Sequence, residues 1–308
     1  MLTYEALQTD RRQFLALTGL MLSELQLLLV AFPPASLHLY PTDQTTEGQP
    51  RQRNDGGGCK GLLHRPEDKL LFILVYLKTY PLQAVMGELF GLSQPQVNYW
   101  IHRLLPALQQ APDDLGVCPE RDGSHFARGH APSEADPRLI IDGTERRRQR
   151  PKNPEKQALH YSGKKKTHTD KNVVIVALPS KRIDFLSHTC VGKAHDKKIA
   201  DTEGIAYPPE AILYKGTGFQ GYEPAVKETR QAKKKPPRGE LTAAEKRTNR
   251  KLARIRVKVE HALSGVKRCR IVKDVLRNTK SGVSDSAMEA ACGLHNLRVL
   301  NRKRRLKR

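Results

Sequence analysis

Leu139-Ile-Ile-Asp142-Gly-Thr-Glu145 is a short apolar run that ends on an acid, and similar runs follow it along the chain. A β-branched run stands at 171–178, an alternating run at 182–188 and a further apolar run at 211–214. Short runs rich in Val and Ile are typical of strands. A helical pattern at 196–205 and a long basic helix from 241 to about 266 complete the region. This order predicts a mixed α/β domain.

Upstream of these strands the apolar residues follow a helical period instead. One stripe runs from residue 67 to Tyr80-Pro81, and a second helix is predicted from about 82 to 90. Gly91-Leu92 predicts a tight turn, and Ser93 is a suitable N-cap for a third helix with Pro95 in its first turn. The pattern predicts a helix-turn-helix at about 67–105, although a helical hairpin without a role in DNA binding has the same pattern.

The third predicted helix divides into two faces. Val97, Ile101 and Leu104 face the core, and Trp100 is interpreted as a core aromatic. The opposite face offers polar side chains that can reach phosphates or base edges. These candidate DNA contacts are Gln94, Gln96, Asn98 and Arg103.

Composition shifts predict the domain organisation. Residues 1–110 form an all-α DNA-binding domain, 111–137 a linker rich in Pro, Asp and Gly, 138–300 the α/β domain and 301–308 a basic tail. Within the first domain, Pro33-Pro34 and the polar stretch to Pro50 predict a loop, and 51–60 predicts a basic connector. Residues 228–245 predict a solvated insertion.

The charge of the chain restricts its partners. The formal net charge is +22, and residues 231–308 hold 24 Lys and Arg against 6 Asp and Glu. The positive electrostatic field of such a charge attracts polyanions. The usual polyanion partner is nucleic acid, which binds through phosphate contacts and counterion release. No run of about 18 apolar residues and no secretory signal is recognisable, so we expect a cytoplasmic protein without membrane contact.

The long basic helix carries a group of charged residues at helical spacing. In Arg254-Ile-Arg256-Val-Lys-Val-Glu260-His-Ala-Leu-Ser-Gly-Val-Lys267 the spacing predicts that Arg256, Glu260 and Lys267 project from one side. An acid between two bases suits a carboxylate that holds a metal beside a phosphate. Ordinary ion pairs on a surface helix give the same spacing.

The chain resembles the DDE transposases of bacterial insertion sequences, and its motif sequences are most similar to those of the insertion-sequence-five family. Arg256, Glu260 and Lys267 match the C-terminal signature, with Ala253 where a tyrosine often stands. Further matches cover nearly the whole chain. They are Asp142-Gly-Thr144-Glu145, His160-Tyr-Ser-Gly-Lys-Lys-Lys166-Thr-His168 and Gly216-Thr-Gly-Phe-Gln-Gly-Tyr222.

The resemblance implies a ribonuclease-H-like fold and a bacterial, nucleoid-associated enzyme that cleaves and joins double-stranded DNA at transposon ends and target. It implies Mg²⁺ or Mn²⁺, two ions, held by Asp142 and Glu260, with Arg256 and Lys267 orienting Glu260 and contacting phosphates. Because two ends must be joined, a homo-oligomer is expected on DNA. Lys164-Lys-Lys166 is interpreted as a solvated hairpin, with DNA contact as the alternative.

One departure affects the expected activity. In the family an aspartate stands directly before Thr-Gly-Phe-Gln-Gly, and this chain has Gly216 there. Asp196, Asp201 and Glu210 stand nearby in sequence, and none clearly takes its place. A catalytically defective DNA-binding protein or repressor, derived from a transposase, is therefore the alternative function.

Overall fold

The computed structural model describes residues 1–45, 49–51, 61–129, 136–178, 180–236 and 239–306. The chain forms two compact units, Met1–Cys118 with Arg268–Lys273 and Ser286–Arg308, and Pro119–Lys267 with Asp274–Asp285. The helices are α1 Tyr4–Leu7, α2 Arg11–Thr18, α3 Leu22–Leu39, α4 Pro66–Thr79, α5 Gln83–Phe90, α6 Gln94–Asp114, α7 Phe126–Gly129, α8 Pro154–His160, α9 Asp196–Glu203, α10 Ala243–Val266, α11 Arg270–Lys273 and α12 Val283–Leu306. The strands are β1 Arg138–Arg147, β2 Tyr161–Ser162, β3 Thr167–Ala177, β4 Arg182–Leu186, β5 Cys190–Val191, β6 Ile212–Lys215 and β7 Glu228–Gln231.

The strands form one mixed sheet in the second unit. Its path is β2-β3-β1-β6-β7, and β4 and β5 also pair with β3. β1 is antiparallel to β3 and parallel to β6, with Asp142 opposite Val174 and Ile141 opposite Lys215. The predicted mixed α/β class is confirmed, and the sheet is consistent with a ribonuclease-H-like fold.

The core of this unit lies between the sheet and α9. Leu139 and Ile141 of β1 point to the same face because strand residues alternate, and they pack with Ile199 and Ala200 of α9 in one buried cluster. α10 also packs against β1. β1 is thus a central strand whose neighbours fix its position on both edges.

The helical unit contains the predicted helix-turn-helix. α4, α5 and α6 begin and end within one residue or two of the predicted bounds, apart from the longer C-terminal end of α6. Ser93 precedes α6, and the side chain of Gln96 accepts a hydrogen bond from the Ser93 backbone N–H. Val97, Ile101 and Leu104 are buried as predicted. Trp100 is only half-buried, with the Lys69 ammonium over its ring.

The loop predicted from Pro33-Pro34 to Pro50 is wrong at its start, since its described residues after Leu39 are non-helical but the two prolines belong to a helix. α3 continues through both prolines to Leu39. A proline in a helix removes a backbone donor and disfavours the helix, but Phe32 and Ala35 are buried on either side of the pair. Packing of these side chains therefore overrides the local signal. The connector predicted at 51–60 lies outside the described residues, except for Arg51.

Three further segments differ from the sequence interpretation. Residues 228–231, predicted as part of a solvated insertion, form β7, which pairs with β6. α6 extends to Asp114 and α7 begins at Phe126, both inside the predicted linker. The predicted basic tail continues α12 as far as Leu306. The pairing of β7 and the extension of the helices into the predicted linker and tail depend on backbone hydrogen bonds. Such bonds require no particular side-chain pattern, so the sequence did not predict these elements. The predicted domain boundaries stay a prediction.

α3 is the one helix in the described part of the chain that is long and apolar enough to cross a membrane by length and composition alone. Its Leu25, Leu28 and Phe32 are buried within the helical unit, where it packs against α6. These contacts are those of a core helix.

A polar network joins the start of α12 to the sheet within the second unit. Asp285 accepts hydrogen bonds from Arg121 Nη2 at 2.5 Å and from the Thr189 backbone and hydroxyl at 2.8 and 2.6 Å. Burial alone would raise the pKa of Asp285, but the hydrogen bonds from Arg121 and Thr189 outweigh it and leave the pKa below its ordinary value. The ionised carboxylate thus stabilises this unit.

Replacing Asp285 by Asn tests that contribution. We expect a loss of about 1–3 kcal/mol at neutral pH, because a charged hydrogen-bond acceptor is removed from a part-buried site. The native stabilisation is present above the unfolded pKa and is lost as pH falls through the lower folded value. The difference between variant and native protein in urea unfolding should therefore shrink below about pH 4. Asp201→Asn, at an exposed pair with Lys197, is the control; equal losses in both variants would contradict the assignment.

Candidate active site

Asp142 lies where the buried part of β1 ends. Ile140 and Ile141 are fully buried, and the Asp142 side chain is 22% exposed. β1 continues through Arg147, so Asp142 belongs to a strand and not to an Asp-Gly-Thr turn. The pairing with β3 and β6 therefore holds the Asp142 backbone on both sides.

α10 brings Arg256 and Glu260 to this strand. Its N-terminus has a capping box, in which Thr242 and Glu245 each bond the other's backbone N–H. Farther along, Val259, Ala262, Leu263 and Val266 are buried and fix the helix by its apolar face. The guanidinium Nη2 of Arg256 lies 3.7 Å from Asp142 Oδ1. Arg256 thus contacts Asp142, whereas the sequence interpretation paired it with Glu260.

The carboxyl of Asp142 has a pKa above its ordinary value. Burial is the largest cause, while Arg256 and the Gly143 backbone N–H lower the pKa. The charges of Asp196 and Glu260 raise it further. Asp196 and Glu260 are therefore each close enough to act on the charge of Asp142, and Arg256 only partly compensates for the burial of Asp142.

Lys267 is the C-cap residue of α10, and its backbone N–H still bonds the Leu263 carbonyl. Burial and the charge of Lys165 lower the pKa of its ammonium, and Asp142 opposes this shift. Asp142 thus interacts with Lys267 as well as with Arg256, which agrees with the predicted common side of the helix.

Gly216 follows β6 and faces the same space. A Cβ atom built on Gly216 would lie 3.3 Å from Asp142 Oδ1 and 3.1 Å from Arg256 Nη2. Its φ of −74° is open to any residue. A side chain at position 216 would consequently enter the site between the acid and the guanidinium.

Asp196 approaches β1 from the opposite face of the sheet. A Cβ on Gly143 would lie 2.6 Å from Asp196 Cγ, and one on Gly218 would lie 2.6 Å from Asp196 Oδ2. Because successive strand residues point to opposite faces, the backbone of β1 stands between Asp196 and the Asp142 side chain. Asp196 instead pairs with Lys171 Nζ at 3.3 Å, which also lies 3.4 Å from Glu145. Sequence reasoning missed this ion cluster, because no local pattern links its residues.

The candidate DNA contacts lie on the helical unit. Asn98 is exposed, whereas Gln94 donates a hydrogen bond to Gln83, and Gln96 caps its own helix. The Arg103 guanidinium lies over the Tyr40 ring at 4.2 Å. Gln94, Gln96 and Arg103 thus each have a side-chain contact within the helical unit.

The carboxylates fit a divalent cation by their chemistry. Mg²⁺ prefers carboxylate oxygens and needs few protein ligands, and a cation would relieve the repulsion that raises the pKa of Asp142. Asp142 and Glu260 would hold it. Among the described residues no three His, Cys, Asp or Glu side chains are grouped to hold a metal ion, and the space beside Gly216 lacks a ligand.

A mixed sheet with the part-buried Asp142 on β1, an exposed Glu260 on α10 and a helix-turn-helix are the features of a nucleic-acid-processing enzyme of the ribonuclease-H-like class. The chain belongs to the DDE superfamily endonucleases, whose family model matches residues 141–296. The model of the helix-turn-helix of DDE superfamily endonucleases matches residues 63–113.

A curated relative is similar over most of both chains. The probable transposase for insertion sequence element IS702 from Microchaete diplosiphon is 24% identical over 240 residues, which are 78% of this chain and 82% of the relative. No solved structure matches the chain. The comparisons define a transposase-type DDE endonuclease with a helix-turn-helix domain for DNA binding.

Gly143 offers a test of the packing at this site. Gly143→Ala should lower the free energy of unfolding by about 1–3 kcal/mol, because the added methyl group would overlap the Asp196 carboxylate. Thermal unfolding measures the change. Gly163→Ala is the matched control, since a Cβ there meets nothing within 4 Å. Equal stability of both variants would show that Asp196 is not held against β1.

Proposed function

We propose that the protein is a DNA transposase that cleaves and joins strands at transposon ends. The observation that carries the proposal is the approach of Arg256 and Glu260, on α10, to the buried Asp142 on β1. Acids from distant parts of the chain gather beside cations, which suits the binding of a phosphodiester. The resemblance to the insertion-sequence-five family supports the same assignment.

Asp142 and Glu260 are the proposed metal ligands and catalytic residues. Bound Mg²⁺ or Mn²⁺, as two ions, would stabilise the charge on the attacking and leaving oxygens of the phosphodiester. Asp142 is buried on a central strand, so its carboxylate has a fixed position. Glu260 reaches the site from a helix that is anchored by its apolar face.

Arg256 and Lys267 have supporting roles in the proposal. Arg256 holds Asp142 by its charge, and its guanidinium can also donate to phosphate oxygens. Lys267 lies near Asp142, Lys165 and Arg146. Arg256 and Lys267 together attract a phosphate backbone more strongly than either of them alone.

The helix-turn-helix is the proposed reader of the terminal repeats in double-stranded DNA. The N-terminal part of α6 carries Gln94, Gln96, Asn98 and Arg103, and such helices present their first turns to base edges. Joining two ends requires a homo-oligomer on the DNA. Its substrate would place the protein with the nucleoid in the bacterial cytoplasm.

Gly216 favours the second candidate, a DNA-binding protein or repressor without cleavage. We infer that position 216 is where the family's second acid would stand, since its side chain would point to Asp142. Two acids bind a cation more weakly than three. Nicking at saturating Mg²⁺ or Mn²⁺ separates the candidates, because a repressor binds the repeats without metal and never cuts them.

Asp142→Asn and Glu260→Gln should each reduce nicking of a terminal-repeat duplex by at least about 100-fold, because each removes a charged ligand from the reacting phosphate. Nicking is measured on labelled duplex with Mg²⁺ and with Mn²⁺. Asp201→Asn, an exposed acid, is the control. Nicking at the native rate by Asp142→Asn would reject the proposed site.

Gly216→Asp should raise metal-dependent nicking, since it adds a carboxylate between Asp142 and Arg256. The guanidinium must move by only a few tenths of an ångström to admit the Cβ atom. Gly216→Asn has the same size without the charge and should give no gain. An unchanged or lower rate in Gly216→Asp would contradict the placement of the missing acid at position 216.

A further inference from the structure

Two neighbouring cavities lie beside the sheet, and the proposed cleavage chemistry uses neither. The larger has a volume of about 780 Å³ and is lined by α8, β2 and Arg150. The smaller has a volume of about 410 Å³ and reaches Glu145, Lys171 and Asp196. Tyr161, Gly163 and Lys193 line both. We call the two cavities together the β2 groove.

The β2 groove has a positive lining. Arg150, Lys193 and Lys164 contribute cations, and no acid is present among the described residues that line the larger cavity. Residues 150–166 hold six Lys and Arg against one Glu. The Arg150 guanidinium donates to the neutral carbonyl of Gln157, so its charge is not cancelled by that contact. A polyanion fits this surface.

An exposed aromatic ring lies among these cations. Tyr161 is 43% exposed, although tyrosine usually buries most of its ring. β2 pairs with β3 at His168, and the two rings meet edge to face at 5.7 Å. The edge contact holds the Tyr161 ring in place from one side. A flat ligand can therefore stack on it.

The smaller cavity reaches β1 on the face opposite to the Asp142 side chain. Its far end contains Asp196, which lies against Gly143, the residue after Asp142. Lys171 pairs with both acids at this end and offsets one of their two negative charges, and Lys164 and Lys193 also line this cavity. A strand held in the β2 groove would therefore pass close to β1.

We propose that the β2 groove binds an unpaired nucleotide of single-stranded DNA. This proposal rests on the proposed function of the protein as an enzyme that acts on DNA. The base stacks on Tyr161, and Lys193 and Arg150 bind the adjacent phosphates. Each base presents a flat face, so stacking requires no sequence match, whereas the paired bases of a duplex are not free to stack. The groove has the volume of a small-molecule pocket.

The test uses the full chain carrying Asp142→Asn, with EDTA present, so that binding is measured without cleavage. The probe is a duplex with a short 3′ overhang that contains 2-aminopurine. Binding should quench its fluorescence. Tyr161→Leu should weaken binding of the overhang about tenfold and remove the quenching, because stacking of a base on one aromatic ring increases the affinity by about that factor. Tyr161→Phe should restore both.

Lys193→Gln tests the phosphate contact independently of the ring. It should lower the slope of log affinity against log salt concentration by about 1 for the overhang probe. Lys198→Gln is the matched control, since Lys198 is exposed and does not line the groove. If Tyr161→Leu does not fold, Lys193→Gln alone decides: an unchanged slope overturns the proposal.

Further outcomes separate this proposal from the proposed function. Equal weakening of a fully paired duplex by Tyr161→Leu would overturn the unpaired nucleotide, since a general loss of DNA binding would explain it. Quenching at the native level in Tyr161→Leu would also overturn the binding of an unpaired nucleotide in the β2 groove. In that case, nicking by the protein that retains Asp142 would still support the transposase function. If the native protein never nicks DNA but Tyr161→Leu weakens binding of the overhang, the proposed role of the β2 groove is supported and the cleavage function is rejected.

Discussion

The burial of Asp142 on the central strand is the constraint on which the site depends. A carboxylate taken out of water is costly unless it is compensated, and here the pKa of Asp142 is raised in spite of Arg256. The Arg256 guanidinium, which α10 brings to this strand, lowers that pKa and so favours the ionised acid. Because the same helix carries Glu260 one turn later, the contact that stabilises Asp142 also brings the second acid to it.

The glycines around β1 have a common physical role. At Gly143 the missing side chain lets Asp196 approach the backbone from the α9 face, and at Gly216 it leaves space beside Asp142 on the other. The first glycine is required by packing, since any Cβ would overlap the carboxylate. The second has ordinary φ and only a narrow contact, so packing does not require it. This difference is why Gly216 is interpreted as the absence of a ligand.

Charge organises the second unit beyond the site. Lys171 lies between Glu145 and Asp196, and Lys267 lies near Asp142. In the larger cavity of the β2 groove, the described lining residues include Arg150 and Lys193 and no acid. Buried cations thus compensate acids within the fold, while the exposed ones remain for phosphates. A large net charge on its own would not distinguish these two uses.

The sequence by itself determined the elements with a strong local signal. The apolar period and the Ser93 cap predicted α4, α5 and α6, and the short apolar and β-branched runs predicted β1, β3, β4 and β6, because each signal acts within a few residues. Motif matches also singled out Asp142, Glu260 and Gly216. Only the tertiary structure decided that Arg256 contacts Asp142, that Asp196 lies across the strand, that Pro33-Pro34 remain helical and that 228–231 pair as a strand. Those outcomes depend on packing between residues far apart in the chain, and such energies leave no pattern in a short window.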